Sequence, residues 1–226
     1  MNLLISGGVG KVKDQTMIPY YTNLLPVSAR ILYLPIAKQT RPFSESYERM
    51  CINMAEFLVK ANIEMWTDLK GKSLKDLTPF DSIYIEGGNP FVLLDALKKA
   101  DFMPILRSYI ASGKLVYGQS AGALIMGADM SFAQFFSGSV ENTVGLVDTQ
   151  GLDLFRGYSI WPHYTQKDDS IIRKLIDKQG FKFLALPEYT GIHFSSQDNK
   201  VCGTNSVTVF NGTSKKSYAL GAKVIF

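Results

Sequence analysis

Through roughly the first 130 positions, apolar runs of four to eight residues, each closed by Gly, Pro or Asn, alternate with longer segments of helical period. The runs Asn2 to Ser6, Arg30 to Pro35, Ile63 to Trp66, Ser82 to Ile85 and Lys114 to Tyr117 predict five strands. Their apolar residues occupy consecutive rather than alternate positions, as parallel strands covered by helices on both faces require. Between the second and third runs, Phe43 to Ala61 sets Tyr47, Met50, Cys51, Met54, Phe57 and Leu58 on one stripe, with Arg49, Glu56 and Lys60 off it. That spacing predicts a crossover helix. Pro90 to Ala100 and Phe102 to Ala111 predict two more, split near Asp101, with Gly113 as the stop.

The pattern changes after Gly122. Residues 123–160 hold short pieces interrupted by Gly127, Gly138, Gly145, Gly151 and Gly157, which predict loops and short strands over the sheet edge. Asp168 to Lys178 predicts a helix: acids open it, a lysine closes it, and Ile171, Ile172, Leu175 and Ile176 repeat at helical spacing. Phe183 to Leu186, Gly191 to Phe194, Val207 to Phe210 and Ala222 to Phe226 predict strands, and Asn211-Gly212 a hairpin turn. No repeat or linker divides the chain. The expected architecture is one α/β domain over residues 1–226, a doubly wound, mostly parallel sheet with a more antiparallel C-terminal part.

Composition narrows the function. At 46% hydrophobic and 19% charged residues the chain has ample apolar surface to fold, which excludes a disordered protein. A net charge of +4 with no basic run longer than a pair argues against a nucleic-acid partner. Cys51 and Cys202, 151 positions apart, read as two reduced thiols. There is no basic leader and no apolar run of the ~18 residues a membrane span needs, so a soluble, cytoplasmic protein without a membrane partner is expected. Two histidines, His163 and His193, exclude a three-histidine metal cage and leave one imidazole role open to two residues. No metal or cofactor is expected.

Gly118-Gln119-Ser120-Ala121-Gly122 directly follows the fifth strand and precedes an expected helix from Ala121 to Gly127. A serine on such an elbow is thrust forward as a nucleophile, and the N–H of Ala121 sits where an oxyanion would form. The hydroxyl needs a base. His163, after Pro162 in a loop or strand end, is preferred over His193, which lies within a strand-like segment where a structural imidazole is ordinary. For the carboxylate, Glu188 follows Pro187 at a strand end, although spacing alone better describes a solvated acid, and Asp148, Asp153, Asp168 and Asp169 compete. The order serine, acid, His193 would match ordinary α/β-hydrolases and stands as the rival assignment. A second glycine turn, Glu86-Gly87-Gly88-Asn89-Pro90, bares N–H groups at a helix start. Gly88 is the candidate second oxyanion donor, with Asn89 beside it in the substrate-binding set. Taken alone, the turn needs its glycines only for backbone conformation.

Gly87-Gly88-Asn89, Gly118 to Ala123, Pro162-His163-Tyr164 and Leu186-Pro187-Glu188 together resemble the peptidase E family of serine peptidases, the aspartyl dipeptidases and their cyanophycinase relatives. The resemblance covers most of the chain. It implies a fold like the class I glutamine amidotransferase domain (flavodoxin-like), a triad of Ser120, His163 and Glu188, an oxyanion hole of Gly88 and Ala121, and a small peptide substrate. One departure bears on specificity. Members specific for N-terminal aspartate read its carboxylate with an arginine shortly after the histidine, whereas Tyr164 to Asp169 contains none and Arg173 is the first. Weak or absent cleavage of Asp-x dipeptides is therefore expected. A binding protein without turnover and an esterase or amidase are the alternatives, and the oligomeric state is expected to be monomer or homodimer.

Overall fold

The computed structural model describes residues 1–9, 14–57, 61–136 and 140–226. Leu58 of the expected stripe, Lys60 off it, and Gly138 lie outside them. The five apolar runs form strands β1 (Asn2–Ser6), β2 (Arg30–Leu34), β3 (Asn62–Met65), β4 (Ser82–Ile85) and β5 (Leu115–Gln119). They lie parallel in the order β3-β2-β4-β5-β1. Two antiparallel strands, β8 (Thr190–Phe194) and β9 (Asn199–Gly203), extend this sheet beyond β1. A second sheet has the order β11-β10-β7-β6, built from β6 (Tyr158–Trp161), β7 (Lys182–Ala185), β10 (Val207–Asn211) and β11 (Ser214–Tyr218). In it β6 and β7 are parallel and the other pairs antiparallel.

Alternating side chains divide the interior between the two faces of the large sheet. Leu3, Ile5, Leu34, Ile85 and Val116 face a core shared with α4 (Pro90–Lys99), α5 (Phe102–Ala111), α6 (Ala121–Leu124), α7 (Asp169–Gln179) and the second sheet. Leu4, Tyr33, Tyr84 and Tyr117 face the other core, closed by α1 (Met17–Thr22) and α2 (Phe43–Ala55). Helices on both faces explain why these strands are apolar at consecutive positions.

The departures from the sequence pattern have physical causes. Ala222 to Phe226 is not a strand: only Lys223 bridges to Lys200. Its apolar residues seal the core, with Val224 buried and Phe226 against Phe155 and Tyr158. The strands β9 and β11 have no apolar alternation because each is an edge strand, and β11 buries only Tyr218. Residues 123–160 contain α6 and a 3₁₀ turn at Ser131–Phe135 but, among the described residues, no strand before β6. The helix expected to run to Gly127 stops at Leu124. The short helices α1 and α3 (Leu74–Leu77) are too brief to display a period. Among the described residues no helix is long and apolar enough to cross a membrane.

Behind the second sheet Phe183 is fully buried and packs edge-on to Phe132 and Trp161 at 4.8 and 5.5 Å. Phe183→Ala should cost ~3–5 kcal/mol. Urea unfolding should show this as a clearly lowered midpoint, and an unchanged midpoint would mean that the aromatic cluster is not holding this sheet.

Candidate active site

Ser120 stands where β5 hands the chain to α6. Its N–H donates to Ser6 O at 3.0 Å, while its carbonyl accepts from Ala123 N and Leu124 N, each at 2.9 Å. Gripped from both sides, it takes φ 50° and ψ −104°. Such a conformation costs a residue with a side chain ~1–3 kcal/mol and aims the hydroxyl out past the strand end. The elbow closes only around small neighbours. A Cβ on Gly118 would lie 2.4 Å from Gly122 O, and one on Gly122 would lie 2.4 Å from Ile85 O.

His163 follows β6 and Glu188 follows β7, so both leave the carboxyl ends of neighbouring parallel strands. His163 Nε2 lies 2.9 Å from Ser120 Oγ, and its Nδ1 lies 3.1 Å from Glu188 Oε1. An ionised carboxylate only accepts, so Nδ1 carries the proton and Nε2 presents its lone pair to the serine hydroxyl, which donates. The histidine and glutamate side chains are 45% and 44% exposed, leaving the pair open to water.

The end of β1 sets the imidazole in place. His163 N donates to Gly7 O at 3.0 Å, and Tyr189 N donates to Gly8 O at 2.9 Å. A Cβ on Gly8, at φ 103°, would sit 2.5 Å from His163 Cε1, so the ring rests directly on this backbone. Motif spacing does not single out Gly7-Gly8. The available signal is positional: a glycine pair follows β1 as Gly87-Gly88 follows β4.

Among the described residues, neither Gly88 N–H nor Ala121 N–H has an acceptor within the protein. Both flank Ser120, and Gly88 lines the same cavity as its hydroxyl. Asn89 lies beside that cavity rather than in its wall. Its Oδ1 accepts from Phe91 N at 3.0 Å, capping α4, and its Nδ2 donates to Gln39 Oε1 at 3.1 Å and Glu141 O at 2.9 Å. Those bonds hold the turn that presents Gly88.

The cavity at Ser120 measures about 430 Å³, with Leu124, Phe136, Val140 and Trp161 as apolar walls and Asp168 at its polar side. Beyond His163 and Glu188 a second groove of about 890 Å³ runs past Tyr164, Asn205 and Lys215. The walls come from the stretch after Gly122 that has no readable period.

The rival residues lie elsewhere or act locally. His193 Nε2 is 2.9 Å from Asn2 Oδ1 and its Nδ1 is 3.3 Å from Tyr20 OH, and burial lowers its pKa. Asp148 pairs with Lys98 at 2.5 Å, Asp153 accepts from Gly157 N at 2.7 Å, and Asp169 binds Lys215. Asp168 Oδ2 caps the chain by accepting from Thr165 N at 2.7 Å. The one acid hydrogen-bonded to His163 among the described residues is Glu188. No group of three or more His, Cys, Asp or Glu among the described residues could hold a metal ion.

Known proteins share this arrangement of chain. A Peptidase E of Actinobacillus pleuropneumoniae is 26% identical, over 93% of this chain and 92% of that protein. An uncharacterized peptidase of Listeria monocytogenes is 30% identical over 131 residues, which is 58% of this chain and 63% of that protein. The chain thus matches under two thirds of that relative's length. The crystal structure of a peptidase from an acI-B1 Actinobacterium superposes with a TM-score of 0.75 at 17% identity, covering 100% of this chain and 96% of that one. That likeness speaks for the fold, which is the flavodoxin-like one of class I glutamine amidotransferases. The family model described as Peptidase family S51 matches residues 2–202, and the chain therefore belongs to peptidase family S51.

Proposed function

We propose that the protein is a serine peptidase of the peptidase E type that cleaves small peptides, with Ser120 as nucleophile, His163 as base and Glu188 as its orienting acid. The observation that carries this reading is the 2.9 Å contact of Ser120 Oγ with His163 Nε2, made by a serine in a strained elbow conformation. Ser120 Oγ attacks the peptide carbonyl carbon as its proton passes to His163 Nε2, and the carbonyl electrons move to oxygen. Gly88 N–H and Ala121 N–H donate to that oxyanion. One such donor is worth about 10²–10³ in rate. The tetrahedral adduct collapses to an acyl enzyme as the imidazolium returns its proton to the departing amine. Water, deprotonated by His163, then releases the acid and restores Ser120. Glu188 keeps Nδ1–H in place and stabilises the positive ring, a role that leaves its own proton state unchanged.

The walls of the cavity at Ser120 favour an apolar residue, and Asp168 there favours a cation such as a free α-ammonium group. Peptides with an apolar N-terminal residue are therefore the preferred substrates, and an N-terminal aspartate side chain meets an acid in place of an arginine. The groove past Tyr164 and Asn205 can take the other side of the scissile bond. The assembled Ser120, His163 and Glu188 contacts support turnover over the binding-only alternative.

Fluorophosphonate labelling should be lost in Ser120→Ala and His163→Ala and kept in His193→Gln, whereas labelling of Ser120→Ala would put the nucleophile elsewhere. Glu188→Gln should lower kcat about 10³- to 10⁴-fold with the fold intact by circular dichroism. In a dipeptide screen Leu-Leu and Ala-Leu should be cleaved faster than Asp-Leu. A faster Asp-Leu rate would overturn the specificity, and hydrolysis of p-nitrophenyl esters without any dipeptide cleavage would overturn the peptidase reading in favour of an esterase.

A further inference from the structure

A second polar cavity, of about 440 Å³, opens at the carboxyl ends of β2 and β4. The connections diverge there: β2 runs on to β3 on one side, while β4 runs on to β5 on the other. Such switch points leave a crevice where α/β sheets bind ligands. The cavity lies on the face of the sheet covered by α1 and α2, whose core includes Tyr33 and Tyr84. The Ser120 cavity lies on the opposite face, against Leu124 and Trp161.

Its lining contains polar groups that the fold leaves unused. Asp14 is 8% exposed; its Oδ1 accepts from Thr16 N and Met17 N at 2.9 and 2.8 Å, while its buried Oδ2 has no hydrogen-bond partner among the described residues. Ser46 is 2% exposed and its Oγ likewise has none. Leaving a buried polar atom unpaired costs ~1–3 kcal/mol, a cost that a bound ligand removes. Gln119 is 7% exposed and accepts at Oε1 from Tyr84 OH at 3.2 Å, which leaves its amide N–H groups to donate. Arg41 and Arg49 line the cavity with no carboxylate partner among the described residues. Lys38 and Glu86, by contrast, pair with each other at 3.2 Å.

The unpaired charges act on different tyrosines. Burial raises the pKa of Tyr84 and Tyr117, and Asp14 adds to both, so its carboxylate acts at the β4 and β5 end. Burial also raises the Tyr33 pKa while Arg41 opposes it, so the guanidinium acts at the β2 end. The lining thus offers one ligand an acid, two guanidinium groups and a buried hydroxyl, which match a molecule carrying both charges.

We propose that this cavity is a second ligand site, which binds a small zwitterion of free amino-acid or dipeptide size with its ammonium group on Asp14 and its carboxylate on Arg41, Arg49 and Ser46. The ligand would touch Gln119 and Glu86, the residues directly before Ser120 and before Gly87-Gly88. Occupancy therefore bears on the backbone that aims the nucleophile and the oxyanion donors, a consequence that rests on the function proposed above, whereas binding does not.

Isothermal titration of the whole chain with glycine, L-leucine, L-lysine and L-aspartate tests this, since none contains a bond a peptidase can cleave. At least one should bind with one-to-one saturation, about tenfold or more tighter than acetate or methylamine alone. Arg49→Gln, an exposed change on α2, and Ser46→Ala should each weaken it about tenfold. Ser120→Ala and fluorophosphonate-blocked protein should bind as the intact protein does, which separates this site from the Ser120 cavity whatever the fate of the peptidase reading. Saturating ligand should change the rate of fluorophosphonate labelling. The proposal is overturned if none of the four binds below about 20 mM, if acetate binds as tightly, if both variants bind normally, or if blocking Ser120 abolishes binding; an unchanged labelling rate removes the coupling.

Discussion

Two hydrogen bonds at the end of β1, from His163 N to Gly7 O and from Tyr189 N to Gly8 O, tie the second sheet to the first. Ser120 belongs to the large sheet, while His163 and Glu188 belong to the smaller one, so no single layer holds the site. The glycines allow this seam to close. A side chain on Gly7 would lie 2.1 Å from Leu186 O, and one on Gly8 would run into the His163 ring. The distance from serine to histidine is thus set by backbone contact, the stiffest link the chain has, rather than by loop packing.

Strain at Ser120 follows from the same construction. Its N–H is taken by Ser6 O on β1 and its carbonyl by the first turn of α6, so the φ of 50° is enforced from two directions. The short α6 is held against the sheet by Gly122, which packs directly on Ile85 of β4. In the adjoining turn Asn89 places its side-chain atoms on the α4 cap, Gln39 and Glu141, and among the described residues Gly88 N–H keeps no acceptor. Rigid donors that need no rearrangement are what stabilise developing negative charge most effectively.

Charge is distributed unevenly around the strand ends. Asp168 borders the Ser120 cavity on one face, whereas Arg41 and Arg49 border the Tyr33 cavity on the other. Both cavities open at carboxyl strand ends, where helix starts and unpaired N–H groups collect in parallel sheets.

The sequence by itself determined the parallel half of the fold, because buried strands and amphipathic helices carry their environment in their composition, and it determined the elbow, because Gly118 and Gly122 admit no larger residue. Placement after strands pointed to Ser120 and His163, and Glu188 was pointed to by the family resemblance. The sequence could not report the edge strands β9, with only Val201 and Cys202 buried, and β11, with only Tyr218 buried, nor that Ala222 to Phe226 caps a core with a single bridge instead of forming a strand. Only the tertiary structure shows which histidine lies against Ser120, which acid lies against that histidine, and where Gly7-Gly8 belongs. Those choices turn on contacts between residues up to about 180 positions apart, such as Gly8 with Tyr189, and no local pattern encodes a distance of that kind.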